Sequence, residues 1–318
     1  MKKLCIIFVL LTFCSIANRA FAQQPAQFSQ YMFNTLYYNP AFAGVEGATK
    51  FSVLHRDQWT GYTGDFDQGG APKTTLITLN TPILMLKSGA GLYLIRDQIG
   101  PFQNLEAQFS YAYHLPIFKG KLSLGLRGGF FSQAIDFDKL RPNDIDDPTI
   151  PAGKESQIKP DMGIGLYYRA EKYFIGASFN HLLKTEFQFA KDTTRNALEQ
   201  ASYFTGGYDF KYSGDLTITP SVLVQTDFKQ LSVQGGVLAT YKDRFWGGLS
   251  YRQSEAAIIM LGMALLKDNS LKIGYSFDYI VTAQKAKSAT SSELMLSYTL
   301  PVATTNKKSI IRTPRFRQ

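Results

Sequence analysis

The sequence predicts an all-β protein: a single transmembrane antiparallel up-and-down β-barrel of about fourteen strands. Three observations lead there. Apolar residues alternate with small or polar ones at period two along most of the chain. The long connections between these segments all follow odd-numbered strands. No apolar run beyond the N-terminus is long enough to cross a bilayer as a helix.

The alternation is clearest in Asp161–Lys184. Met162, Ile164, Leu166 and Tyr168 alternate with Gly163, Gly165, Tyr167 and Arg169. After Ala170-Glu171-Lys172, Tyr173, Ile175, Ala177 and Phe179 alternate with Phe174, Gly176, Ser178 and Asn180. Two such runs around a short polar break make a hairpin with one oily face. That face is a core in a sandwich and meets lipid in a barrel.

Candidate strands recur at 48–58, 73–82, 89–97, 102–115, 120–132, 161–169, 173–183, 201–210, 215–225, 230–241, 245–252, 256–265, 270–279 and 291–300. Residues 256–265 are apolar throughout, and periodicity alone does not separate them from a buried helix. The connections decide between sandwich and barrel. Even-numbered strands are followed by short turns, whereas 59–72, 133–160, 184–200 and 280–290 are long and follow odd-numbered strands. In a meander all the long loops then lie at one end, as in outer-membrane barrels, whose periplasmic turns are short. The even strand count puts both termini on the short-turn side, and closure removes edges that lipid would penalise.

Residues 1–22 read as a signal peptide. Lys2-Lys3 precede an apolar stretch from Cys5 to Ile16 and an Ala20-Phe21-Ala22 cleavage site. Phe13 is too large for a lipoprotein site at Cys14. Both cysteines leave with the signal, so no disulfide or thiolate metal site is expected. Residues 23–47 form an N-terminal segment that can enter and occlude the lumen. Within it Phe28, Tyr31, Met32 and Leu36 have helical spacing, and Asn39-Pro40 would end a helix. The barrel occupies 48–300, and 301–318 is a basic tail. The net charge is +9; removing the signal's Lys2, Lys3 and Arg19 leaves +6, and Lys307, Lys308, Arg312, Arg315 and Arg317 in that tail account for five of those charges. The body is nearly neutral, which argues against nucleic-acid binding. The tail could contact periplasmic partners electrostatically.

Catalytic chemistry is poorly supported. His55, His114 and His181 have no ligand spacing in sequence. Ser178 and His181 are three apart on a candidate strand and should face opposite ways. The glycine pairs within strands suit tight interiors, not phosphate loops. Asp144, Asp146 and Asp147, in the loop DFDKLRPNDIDDPT, form a candidate cation-binding cluster, although the spacing is not that of an EF-hand and a solvated loop is the simpler reading. Inward Arg127, Lys272 and Asp278 would suit a wet lumen. No enzyme activity, metal or cofactor is expected.

Two sequence blocks carry a resemblance. Gln27-Phe28-Ser29-Gln30-Tyr31-Met32-Phe33-Asn34 with Asn39-Pro40-Ala41-Phe42-Ala43-Gly44 is one; Arg56-Asp57-Gln58-Trp59-Thr60-Gly61 with Gly70-Ala71-Pro72 is the other. Gly89-Ala90-Gly91-Leu92, Asp97-Gln98-Ile99-Gly100, Tyr111-Ala112-Tyr113, Met162–Tyr168 and Phe174–Leu182 continue it. Together they resemble the PorP/SprF family of the type IX secretion and gliding-motility apparatus of Bacteroidetes-type bacteria. The resemblance implies an outer-membrane barrel that helps adhesin-like cargo reach or stay on the cell surface. Its partners would be membrane lipid, the cargo's C-terminal signal domain, and periplasmic ring or lipoprotein components of the machine. Candidate partner-binding residues are Phe28, Tyr31, Met32, Phe33, Arg56 and Trp59. The alternative reading is a passive or substrate-specific outer-membrane diffusion channel. Long loops would be extracellular and termini periplasmic.

Overall fold

A computed structural model describes residues 25–62, 70–140, 151–189, 196–266, 268–281 and 288–300. Fourteen strands form the wall: β1 (Lys50–Asp57), β2 (Lys73–Ile83), β3 (Ser88–Ile99), β4 (Phe102–Ile117), β5 (Gly120–Asp136), β6 (Lys154–Ala170), β7 (Tyr173–Asn180), β8 (Ala201–Tyr208), β9 (Leu216–Thr226), β10 (Leu231–Tyr241), β11 (Phe245–Arg252), β12 (Ala256–Leu265), β13 (Leu271–Ile280) and β14 (Thr290–Thr299). Each pairs antiparallel with its neighbours in sequence, and β1 pairs with β14 from Lys50↔Thr299 to Asp57↔Ser292. Pairing of β8 with β9, Ser202↔Thr226 to Gly207↔Ser221, completes a closed up-and-down barrel. Closure satisfies the backbone groups that lipid cannot. No helix among the described residues is long and apolar enough to cross a membrane.

Side chains alternate as period two demands. On β6, Met162, Ile164 and Leu166 are exposed outside the barrel, while Asp161 and Tyr167 are buried within. On β13, Tyr275, Phe277 and Tyr279 are exposed and Ser276 and Asp278 are buried. The outer face is thus apolar and aromatic, and the inner face is largely polar. That is the inverse of a soluble core and the pattern a bilayer imposes.

The structure departs from the sequence reading at three places. Strand β6 begins at Lys154, because β5 runs on to Asp136 and the two pair to their ends, Asp136↔Lys154. Lys154, Glu155 and Lys159 had masked that stretch by breaking the apolar alternation. Strand β7 stops at Asn180, since His181 (φ 57) turns the chain. The connection after it contains a small hairpin, Glu186–Phe187 with Asn196–Ala197. Phe187 and Phe189 of this connection pack with the inward Phe131 and with Phe137.

Residues 256–265 form a strand, with Ala256, Ile258, Met260 and Ala264 buried inside and Ile259 and Leu261 exposed outside. This strand is apolar on both faces for a physical reason. Its inner face joins the aromatic cluster of the N-terminal segment, while its outer face is on the lipid side.

That segment lies within the barrel. It consists of a 3-10 turn at Tyr31–Phe33, one α-turn at Thr35–Tyr38 and a 3-10 turn at Pro40–Phe42. Asn39 ends the α-turn and its side chain accepts from Ala41 N at 2.9 Å, capping the turn that follows. Phe28, Leu36, Tyr37, Tyr38, Ala41 and Ala43 are all buried. Each fully buried side chain of the size of Phe28 or Leu36 contributes roughly 1.5–3 kcal/mol.

Candidate functional site

The candidate site is the lumen with its occupant. The wall offers inward-facing glycines where the segment's backbone comes closest. A Cβ on Gly125 would stand 2.2 Å from Ala41 N, and one on Gly89 would stand 2.3 Å from Ala43 O. Only a residue without a side chain admits that approach.

Polar contacts hold the segment along its length. Glu293 of β14 accepts from Ser29 N at 2.8 Å and from Gln30 N at 2.9 Å. Arg56 Nη2 of β1 lies 2.8 Å from Asp278 Oδ2, and its Nη1 lies 3.4 Å from Glu293 Oε2. The Ser29 hydroxyl sits among these charges, donating to Asp278 at 2.6 Å and accepting from Arg56. Arg252 of β11 approaches the same hydroxyl at 3.4 Å, bonds Gln234 at 3.1 Å and pairs with Glu255 at 2.9 Å. Further along, Arg127 of β5 donates to Tyr37 O at 2.9 Å and to Leu36 O. Its guanidinium also lies 4.6 Å over the Tyr93 ring. Ser178 and Asn180 donate to Tyr38 O at 2.8 and 3.1 Å, and Asn39 Nδ2 donates to Leu166 O at 2.8 Å. Buried charges are tolerated because each is paired or hydrogen-bonded.

Aromatic rings pack between these anchors. Tyr37 meets Phe28 at 5.2 Å and Tyr93 at 5.4 Å, both edge to face, and Tyr38 meets Tyr203 at 5.2 Å. Tyr31 bonds Ser221 at 2.7 Å.

Arg56, Arg252, Asp278 and Glu293 lie beside the ends of their strands that lead into odd-numbered connections. Ser29 is consequently in the long-loop half of the lumen, whereas β1 starts at the short-turn end. The segment thus threads the length of the lumen before it joins the wall, from Ser29 beside Glu293 to Gly44 beside Asn80.

The candidate partner-binding residues fall into separate settings. Phe28, Tyr31 and Arg56 are enclosed, and a partner would reach them only after the segment moved. Met32 and Phe33 are half-buried, with Phe33 5.5 Å from Trp246 near the short-turn opening. Trp59 stands at the opposite rim, 6.4 Å from Tyr62, with its backbone N–H bonded to Ser291 at 3.1 Å. Asp144, Asp146, Asp147 and the tail 301–318 lie outside the described residues. The inward charges Arg127 and Asp278 do not face open water as expected; both are spent on the segment or its anchors.

The geometry also corrects the reading of the histidines. Because β7 ends before His181, Ser178 and His181 are both buried inside the barrel. They do not make a catalytic pair: the Ser178 hydroxyl donates to Tyr38, while His181 Nδ1 lies 2.9 Å from Asp161 Oδ2. Topology brings Glu106 of β4 to the same place, with ligand atoms of all three residues within 4.8 Å of one another. No sequence spacing could show this, since Glu106 and Asp161 come from separate strands and His181 from the turn after a third.

The description "Type IX secretion system membrane protein PorP/SprF" matches residues 20–298. The chain belongs to the PorP/SprF family. The blocks that carried the resemblance supply Ser29 and Gln30 on the segment and Arg56 on the wall, which meet in one cluster. No curated protein matches this PorP/SprF chain. Among solved structures, the Ralstonia pickettii toluene transporter TbuX is similar over 83% of this chain and 92% of its own, at 13% identity and a TM-score of 0.49. A Pseudomonas aeruginosa FadL homologue is similar over 82% and 92%, at 12% identity and a TM-score of 0.44. The Pseudomonas putida toluene transporter TodX is similar over 83% and 92%, at 11% identity and a TM-score of 0.46. Closed antiparallel architecture, an apolar outer face and family membership together make this an outer-membrane barrel of the type IX secretion system.

Proposed function

We propose that this barrel is a non-enzymatic component that supports secretion or surface anchoring of specific adhesin-like cargo through protein–protein binding. In this reading the long loops are extracellular and bind the cargo's C-terminal signal domain. The short-turn end faces the periplasm and the ring or lipoprotein components of the machine. The observation that carries the reading is the occupied lumen: residues 25–44 are bonded to the wall from Ser29 at Glu293 to Gly44, whose N–H donates to Asn80 at 2.6 Å. A solute path through so filled a barrel is not the economical use of it, which sets the diffusion-channel alternative second. Binding sites commonly sit on loops carried by a rigid scaffold.

The test is deletion of the gene and, separately, native-membrane pull-down with mass spectrometry. The expected result is loss of one or a few surface proteins and recovery of those proteins or machine components with the barrel. Unchanged surface proteins and motility would overturn the reading. Solute-selective conductance by the intact protein in planar bilayers would favour the channel.

A further inference from the structure

We propose that Glu106, Asp161, His181 and the amide oxygen of Gln108 form a buried binding site for a divalent first-row transition cation such as Zn²⁺ or Mn²⁺. The site lies in the long-loop half of the lumen and is separate from the cluster that holds Ser29.

The wall builds it through one missing side chain. Gly129 on β5 pairs with Gln108 of β4 on one side and with Asp161 of β6 on the other. A Cβ at Gly129 would stand 2.6 Å from Gln108 Oε1. With none there, Gln108 and Asp161 meet across the bare position, Nε2 to Oδ2 at 2.8 Å. Glu106 is two residues from Gln108 on the same face of β4. His181, just past β7, adopts a positive φ of 57° and directs Nδ1 at Asp161. Such a conformation in a residue other than glycine is held by its surroundings and recurs at functional sites. The Phe131 ring packs nearly perpendicular to the imidazole at 5.9 Å.

The donor set suits a cation. One imidazole nitrogen, two carboxylates and a carbonyl oxygen match what zinc and manganese accept, whereas calcium takes more oxygens. All four side chains are buried: Glu106 4%, Gln108 0%, Asp161 2% and His181 5% exposed. Two carboxylates therefore share a space with little water. The cation beside them, Arg127, reaches Glu106 only through the Tyr93 hydroxyl and is otherwise committed to Ser110, Leu36 and Tyr37.

An independent sign is Gln108 Oε1, which is buried and has no hydrogen-bond partner. Its amide donates nitrogen to Asp161. Rotating that amide by half a turn would set oxygen against carboxylate, which is unfavourable unless a cation stands between them. With a cation bound, the same rotation supplies a fourth ligand and gives the oxygen a partner, while the amide nitrogen turns into the bare space at Gly129.

The competing occupant of this charge balance is the His181 imidazolium itself, and metal titration separates the two. The full-length protein, without a polyhistidine tag, is stripped with EDTA in detergent and titrated with Zn²⁺ alone and Mn²⁺ alone by calorimetry. Metal retained after desalting is counted by mass spectrometry. A His55→Ala background removes the exposed His55–Asp57 pair as a second acceptor. We expect about one ion per barrel, with affinity falling at least about tenfold in His181→Gln, Asp161→Asn and Glu106→Gln. Heat-modifiable migration on a gel confirms that each variant is a folded barrel, and any one folded variant is sufficient for the comparison. No stoichiometric binding by the stripped protein, or equal binding by a folded variant, overturns the proposal and leaves the imidazolium as the counter-ion.

Discussion

Arg56 Nη2 lies 2.8 Å from Asp278 Oδ2 inside the barrel, and the Ser29 hydroxyl of the N-terminal segment bonds to both. One ion pair thus joins β1 to β13 and ties the segment to the wall. Replacing Arg56 with Ala leaves the buried Asp278 and Glu293 carboxylates without their directly paired counter-charge, at a cost of about 3–5 kcal/mol. Urea unfolding followed by gel migration should show the loss. The combination Arg56→Met, Asp278→Asn and Glu293→Gln should recover most of it, because it removes all three charges together.

Gly125→Val tests the seat of the segment rather than the wall. The new side chain would occupy the space of Ala41 and Pro40. The barrel should still migrate as folded, while the 25–44 region becomes sensitive to protease. A resistant segment would mean that the wall yields instead.

Ile164 is exposed on the outer face of β6, opposite Leu126 of β5. An Ile164→Arg change should reduce the folded fraction in lipid vesicles, with a penalty of about 2–4 kcal/mol if the position lies at the bilayer midplane and less toward either interface. Undiminished folding would show that this face does not meet hydrocarbon.

Deleting residues 25–44 should convert a nearly non-conducting barrel into a conducting one in planar bilayers. The carbonyls that Arg127 contacts leave with the segment, so Arg127, Arg56 and Arg252 would be exposed to the emptied lumen. The resulting channel should favour anions if those three cations dominate over Glu293 and Asp278. Equal conductance of the intact and shortened proteins would show that the segment does not block the lumen.

Much of the wall was legible in the residues. Period-two alternation located the strands, as at Leu271–Tyr279, because the bilayer and the lumen demand opposite chemistry from adjacent positions. The long-after-odd pattern of connections distinguished a barrel from a sandwich. Legibility failed where the alternation failed. Lys154–Lys159 extend β6 but carry charge at the rim, and the turn at His181 ends β7 sooner than its composition suggests. The interior of Ala256–Leu265 was ambiguous because its inner face is apolar, and it is apolar because it meets the segment.

Local alternation, connection lengths and motif blocks were enough to read a membrane barrel and its family from the residues alone. The contents of the lumen became visible with the folded barrel. Ser29 with Glu293, Arg127 with Tyr37, and Glu106 with Asp161 and His181 are contacts between residues far apart in the chain. They exist because closing the sheet brings inward positions of separate strands around one cavity, and burial away from bulk water there forces each charge to find a partner. No one-dimensional spacing records that meeting.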